Sequence, residues 1–125
     1  MGRTVGAISL GALLLVCAAH PAWAALNAQG QKEVTALLTF VGSSTCTFIR
    51  NGSDYDAKSA QDHLKTKLDY LQRKQLIDSA EDFIARAAST SSMSGKPYMV
   101  RCDGHELASA DWLRQELQRM RQVTP

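Results

Sequence analysis

Residues 46–71 read CTFIRNGSDYDAKSAQDHLKTKLDYL, and two different periodicities meet inside them. From Thr45 to Arg50 the chain is β-branched and aromatic, with Phe48 and Ile49 at its centre, and Asn51-Gly52 closes the run as a turn. That pattern predicts a short strand. From Ala57 the apolar positions are Ala57, Ala60, Leu64, Leu68 and Leu71, which advance by three or four residues and lay one stripe along a helix. Asp56 stands where a carboxylate accepts hydrogen bonds from the free amides of the first turn. Lys58 with Asp62, and Lys65 with Asp69, have the spacing of pairs across one turn on the wet side, worth a few tenths of a kcal/mol each. His63, Lys67 and Tyr70 lie on one flank of the stripe, at its rim.

The partner of the first strand is Tyr98-Met99-Val100-Arg101, leading to Cys102. If the two strands pair antiparallel with Cys46 facing Cys102, Phe48 falls opposite Val100 and Arg50 opposite Tyr98. One register then serves both the apolar face and the bridge. Between and around the strands the spacing is helical. Val34, Leu37, Leu38 and Val41 share a face within residues 31–41, and Gly42-Ser43-Ser44 stops that helix. A third helix, SAEDFIARAA, starts at Asp78 or Ser79 with Phe83, Ile84 and Ala87 inward and acidic residues in its first turn. Asp103-Gly104 turns the chain, Ser109 caps a last helix with Ala110, Leu113, Leu117 and Met120 on its face, Trp112 packs at the edge, and the tail after Arg121 is expected to fray. The fold class is therefore α+β, mostly helical: about four helices with a short two-stranded antiparallel ribbon stapled by a disulfide.

The N-terminus carries a different signal. Arg3 precedes an apolar run from Val5 to Ala19, Pro21 breaks it, and Ala22-Trp23-Ala24 offers small residues at the positions a signal peptidase reads. Residues 1–24 are expected to be a cleaved signal peptide and residues 25–125 a single domain, exported to the periplasm or secreted. The apolar run is shorter than the ~20 residues a membrane helix needs. Lipidation at Cys17 is disfavoured because Val16 stands where a small residue is wanted. With Arg3 removed, the 14 basic residues become 13 against 12 acidic ones. A net charge near +1, with the charges interspersed, argues against nucleic acid and polybasic membrane attachment as partners. In an oxidising compartment two remaining cysteines pair by default, and closing a loop of that length stabilises a small fold by roughly 4 kcal/mol. The rival reading, two metal-ligating or reactive thiols, has no CxxC and no histidine at a usual ligand spacing behind it.

The combination of CTFIRNGSDYDAKSAQDHLKTKLDYL with SAEDFIARAASTSSMSGKPYMVRC and SADWLRQEL resembles the YfeK-like family of small exported bacterial proteins, a domain of unknown function. The resemblance covers nearly all of the chain after residue 24. It supports export and the pairing of Cys46 with Cys102, and it carries over no catalytic or ligand residue.

The candidate residues therefore come from chemistry alone. Arg50, Asn51, Tyr55 and His63 surround the Asn-Gly turn and the start of the long helix, and Ser94, Lys96 and Tyr98 come from the loop STSSMSGKPY. As a binding surface, Arg50 supplies a fork for carboxylate or phosphate and His63 a group that titrates near neutrality. As plain structure, Tyr55 caps the core, Arg50 pairs with Asp54 or Asp56, and His63 fills the rim. An enzyme is disfavoured. Met93 stands three residues before Lys96, so no Ser-x-x-Lys element forms, GxSxG is absent, and Asp103 with His105 reads as turn chemistry. Ser94-Gly95-Lys96-Pro97-Tyr98 is similar to the SGxxY segment of periplasmic lysozyme inhibitors, which are β-rich where this chain is helical. Asn51-Gly52-Ser53 matches a glycosylation sequon, discounted for a bacterial export signal. Neither a metal nor a cofactor is called for. The expected function is a small binding or interaction module of the bacterial envelope, its partner an envelope protein or cell-wall component, with a lysozyme-inhibitor-like protein or a small envelope-acting hydrolase as alternatives.

Overall fold

Four helices and four strands follow one another as α1 (Ala28–Gly42), β1 (Thr47–Arg50), β2 (Ser53–Tyr55), α2 (Ala57–Arg73), α3 (Ala80–Ala87), β3 (Met99–Cys102), β4 (His105–Ala108) and α4 (Ser109–Val123). This computed structural model describes residues 25–123 and, ahead of them, residues 2, 4, 6, 11 and 12. Apart from those positions, the leader expected over residues 1–24, with Cys17 and its cleavage site, lies outside the described residues.

The α+β class with four helices and a disulfide is as the sequence implies, but the ribbon is a four-stranded antiparallel sheet in the order β2-β1-β3-β4. The expected central pair is β1–β3 in the expected register, Phe48 opposite Val100 and Thr47 opposite Arg101. The Asn51-Gly52 and Asp103-Gly104 turns each join two strands and do not simply end one. Asn51 and Gly52 have φ of 51° and 78°, Asp103 and Gly104 have φ of 51° and 80°. Positive φ at both central residues is the two-residue hairpin turn whose twist matches a sheet. Asn and Asp tolerate that region and Gly enters it without steric cost, so the same pair types occur at both turns. The added strands are Ser53–Tyr55, three residues with two exposed, and His105–Ala108, exposed at His105 and Glu106 and partly buried at Leu107 and Ala108, and neither shows an apolar alternation.

The strands bring Cys46 and Cys102 together with 4.6 Å between Cα atoms and a closed disulfide, within the range that side chains can bridge. The helices begin where their caps allow. Asn27 Oδ1 accepts from the Gly30 amide at 2.8 Å, so α1 starts before the expected Gln31. Asp56 accepts from the Ser59 amide at 2.8 Å, and Ser79 accepts from Asp82 at 3.1 Å. Each cap satisfies an amide that the first turn leaves without a partner. Helices α2 and α4 carry the main contacts to the sheet, and α1 and α3 pack against them and each other. Phe83, Leu37, Ile77, Ile84, Leu113, Val34, Val41 and Val100 are fully buried between them, each contributing roughly 1.5–3 kcal/mol by leaving water. Helix α4 does not fray at Arg121. It continues to Val123, because Arg121 donates to Glu33 on α1 at 2.8 Å and 3.0 Å and also holds Glu81 on α3.

Candidate functional site

Two hairpin-linked strands and the first turns of α2 converge on one set of polar side chains. Arg50, the last residue of β1, donates from Nη1 to His63 Nδ1 at 2.7 Å, with Nε2 of the same ring 3.1 Å away. It also donates from Nη2 to the Tyr55 hydroxyl at 3.1 Å, and its guanidinium lies 4.7 Å from the Tyr55 ring centroid. A guanidinium only donates, so the near ring nitrogen of His63 accepts and the ring is neutral with its proton on Nε2. That nitrogen is 3.0 Å from the Tyr98 hydroxyl. Lys67, one turn after His63 on α2, reaches the same hydroxyl at 3.1 Å and the Thr90 carbonyl at 3.1 Å.

The environment agrees with a neutral ring. Burial, reinforced by the positive charges of Arg50 and Lys67, pushes the His63 pKa below its ordinary value. Burial and the charge of Arg50 likewise lower that of Lys67. Burial raises the Tyr98 hydroxyl, and Arg50 opposes that rise. The carboxylates that were expected to pair with Arg50 are engaged elsewhere. Asp54 faces Arg101 at 3.5 Å across the strands, and Asp56 caps α2.

Beside this cluster lies a cleft of about 360 Å³, lined by apolar side chains that include Phe48, Leu64 and Trp112, and by Arg50, Tyr55, His63 and Tyr98. Trp112 shapes its wall, tilted against Phe40 with ring centroids 4.4 Å apart and set edge-on to Phe48 at 5.6 Å. The Asn51-Gly52 turn and the loop before β3 stand on the same side. Asn51 Nδ2 donates to Ser91 Oγ at 3.1 Å, and Ser94 Oγ donates to Asn51 Oδ1. Buried Ser91 also accepts from the Met93 amide at 3.2 Å, which folds the loop around it.

Four of the seven candidates named from the sequence, Arg50, Tyr55, His63 and Tyr98, thus form one connected cluster lining the cleft, while Asn51, next to Arg50 in the chain, holds Ser94 by its side chain. Lys96 does not join by its side chain: it is exposed, and its bonds are backbone ones, to Ser94 and Ser91. His105, opposite Cys102 on β4, is exposed. Lys67 is the group that the sequence reading left out of the site. Its position four residues after His63, on the flank already noted, was the available signal. The cleft itself had none, since it arises from elements far apart in the chain. Among the described residues no three His, Cys, Asp or Glu side chains gather as a metal site, and no helix is long and apolar enough to cross a membrane.

Comparison with known proteins places the chain in a family of unknown function. A family of unknown function, DUF5329, matches residues 28–121, and the chain belongs to that family. It is also similar to the uncharacterized protein YfeK of Salmonella typhimurium, 40% identical over 79 residues that make up 62% of this chain and 64% of that protein. The chain therefore spans less than two thirds of the length of that relative. No solved structure matches it.

Proposed function

We propose that this protein is an exported binding module of the bacterial envelope that receives a small, partly apolar envelope component in the cleft between α2 and the sheet. The observation that carries this reading is the meeting of an apolar hollow with a convergent set of hydrogen-bonding groups. The hollow is about 360 Å³, at the lower end of the roughly 300–1,000 Å³ of small-molecule sites, which are mostly apolar with a few polar groups that fix orientation. An enzyme is a weaker reading. His63 is occupied by Arg50 and Tyr98, and no serine donates to it among the described residues. Export follows from the leader read in residues 1–24, and the intact mass of periplasmic protein beginning at Ala25 would support it.

The test is titration with a neutral environment-sensitive dye, N-phenyl-1-naphthylamine, against the wild type and an Ala60→Trp variant that fills the cleft from α2. Saturable fluorescence enhancement by the wild type, lost in a variant that still melts cooperatively, supports the reading. Equal enhancement by both, or none by the wild type, overturns it.

A further inference from the structure

The groups at the mouth of the cleft form an unbalanced set. Arg50 donates to His63 and Tyr55, and Lys67 donates to Tyr98 and Thr90, so every partner of the two cations is a neutral group. The acidic residues nearby are committed: Asp54 to Arg101, Asp56 to the Ser59 amide, and Asp62 to Lys58 at 2.7 Å. The hydroxyls add to the excess of donors. Tyr98 accepts from His63 and Lys67 and Tyr55 accepts from Arg50, which leaves each phenol its own proton to give. Arg50 and two phenolic donors line one rim of the apolar hollow, the charge of Lys67 lies behind Tyr98, and the carboxylate in the lining, Asp62, is paired with Lys58.

We propose that the cleft binds a small amphiphile by a terminal oxyanion, a carboxylate or a phosphate monoester, held by Arg50 with the Tyr55 and Tyr98 hydroxyls while its apolar body lies against Phe48, Leu64 and Trp112. This rests on reading the cleft as a binding site. The guanidinium retains N–H groups beyond the two it uses, and their fork matches a two-oxygen acceptor. Lys67 contributes charge from behind Tyr98. A cationic head would meet Arg50 and Lys67 in a partly desolvated site, where like charges repel strongly. A neutral head would leave both without a counter-charge. The volume restricts the body to a short chain or a small ring system.

The experiment is isothermal titration calorimetry of the folded protein at neutral pH with four ten-carbon compounds, each below its micelle concentration: decanoate, decyl phosphate, decanol and decyltrimethylammonium. One site for decanoate or decyl phosphate, with decanol about tenfold weaker or more and the ammonium compound not bound, is the expected result. The stronger of the two anions decides between carboxylate and phosphate. Arg50→Gln should weaken the anions about tenfold and leave decanol unchanged, and Lys67→Gln gives the same comparison if the first variant does not fold. Decanol binding as tightly as both anions, or anion affinity untouched by the substitutions, overturns the oxyanion proposal and leaves the cleft reading standing. Failure of all four compounds, together with failure of the neutral dye, removes both.

Discussion

Arg50 and Arg121 are the same residue type in opposite situations. Arg121 is clasped by two carboxylates, Glu33 from α1 and Glu81 from α3, and its hydrogen bonds lower the pKa of both. Glu33 keeps only 8% of its side chain exposed, so that arginine satisfies a charge that burial would otherwise penalise. Arg50 bonds a neutral imidazole and a phenol, and the charge of Lys67 stands nearby. One arginine closes the fold by fastening α4 to two other helices. The other leaves its charge available. The difference lies in what the neighbouring elements present, since neither arginine is distinguished by its local sequence.

The widest separation between the two regions should come from the disulfide, which joins the two strands that carry Arg50 and lead from Tyr98 and lies outside the Arg121 network. Replacing Cys46 and Cys102 together by serine should cost about 4 kcal/mol in denaturant unfolding and abolish dye binding. Stability unchanged by the double substitution would mean that the β1–β3 pairing holds without it. Arg121→Ala should cost about 2 kcal/mol, because it leaves Glu33 buried without its partner. Arg50→Gln should cost less than about 1 kcal/mol, since what it loses are hydrogen bonds at a partly exposed rim. If Arg50→Gln proved the more destabilising, the contrast between the two arginines would fail. The hairpin turns offer a smaller effect. Gly52→Ala and Gly104→Ala add a methyl that meets nothing within 4 Å, so each should cost about 1 kcal/mol from positive φ alone, and only Gly52→Ala should disturb dye binding.

The smallest expected effect is in pH, where the two regions titrate in different windows. The folded pKa of His63 lies below its ordinary 6.5, so the unfolded chain takes up that proton first. Its contribution is whole above 6.5 and declines as pH falls from there through the lower folded value. Glu33 is depressed below 4.5 by Arg121, so its contribution is present above 4.5 and is lost only in more acid solution. Stability measured from pH 8 to 3 should show a shallow first decline that His63→Gln removes and a second that Arg121→Ala removes. A single decline untouched by His63→Gln would show that the ring is not held neutral by its neighbours.

Much of this was legible in the chain. The stripe Ala57-Ala60-Leu64-Leu68-Leu71, the cap at Asp56 and the register that puts Phe48 opposite Val100 are local or pairwise patterns, and period and register are what side-chain alternation encodes. Arg50, Tyr55 and His63 were legible as a group because they straddle one turn. The outer strands were not, because Ser53–Tyr55 has only three residues and His105–Ala108 runs two exposed polar residues and then two partly buried apolar ones, so neither alternates. Nor was the state of Arg50. Asp54 and Asp56 are its sequence neighbours, yet strand alternation sets Asp54 on the face of Arg101 and the helix start claims Asp56.

By itself, the sequence determined the α+β class, the helix faces, the pairing of Cys46 with Cys102 and the central register, since each depends on residues in one element or in two that must match. Tertiary structure alone decided that the cleft exists, that Lys67 joins His63 around the Tyr98 hydroxyl, and that Arg50 meets no carboxylate where Arg121 meets two. These follow from how α2, α4 and the sheet sit against one another, and no short stretch of chain contains the distances between elements that fix which charges find partners.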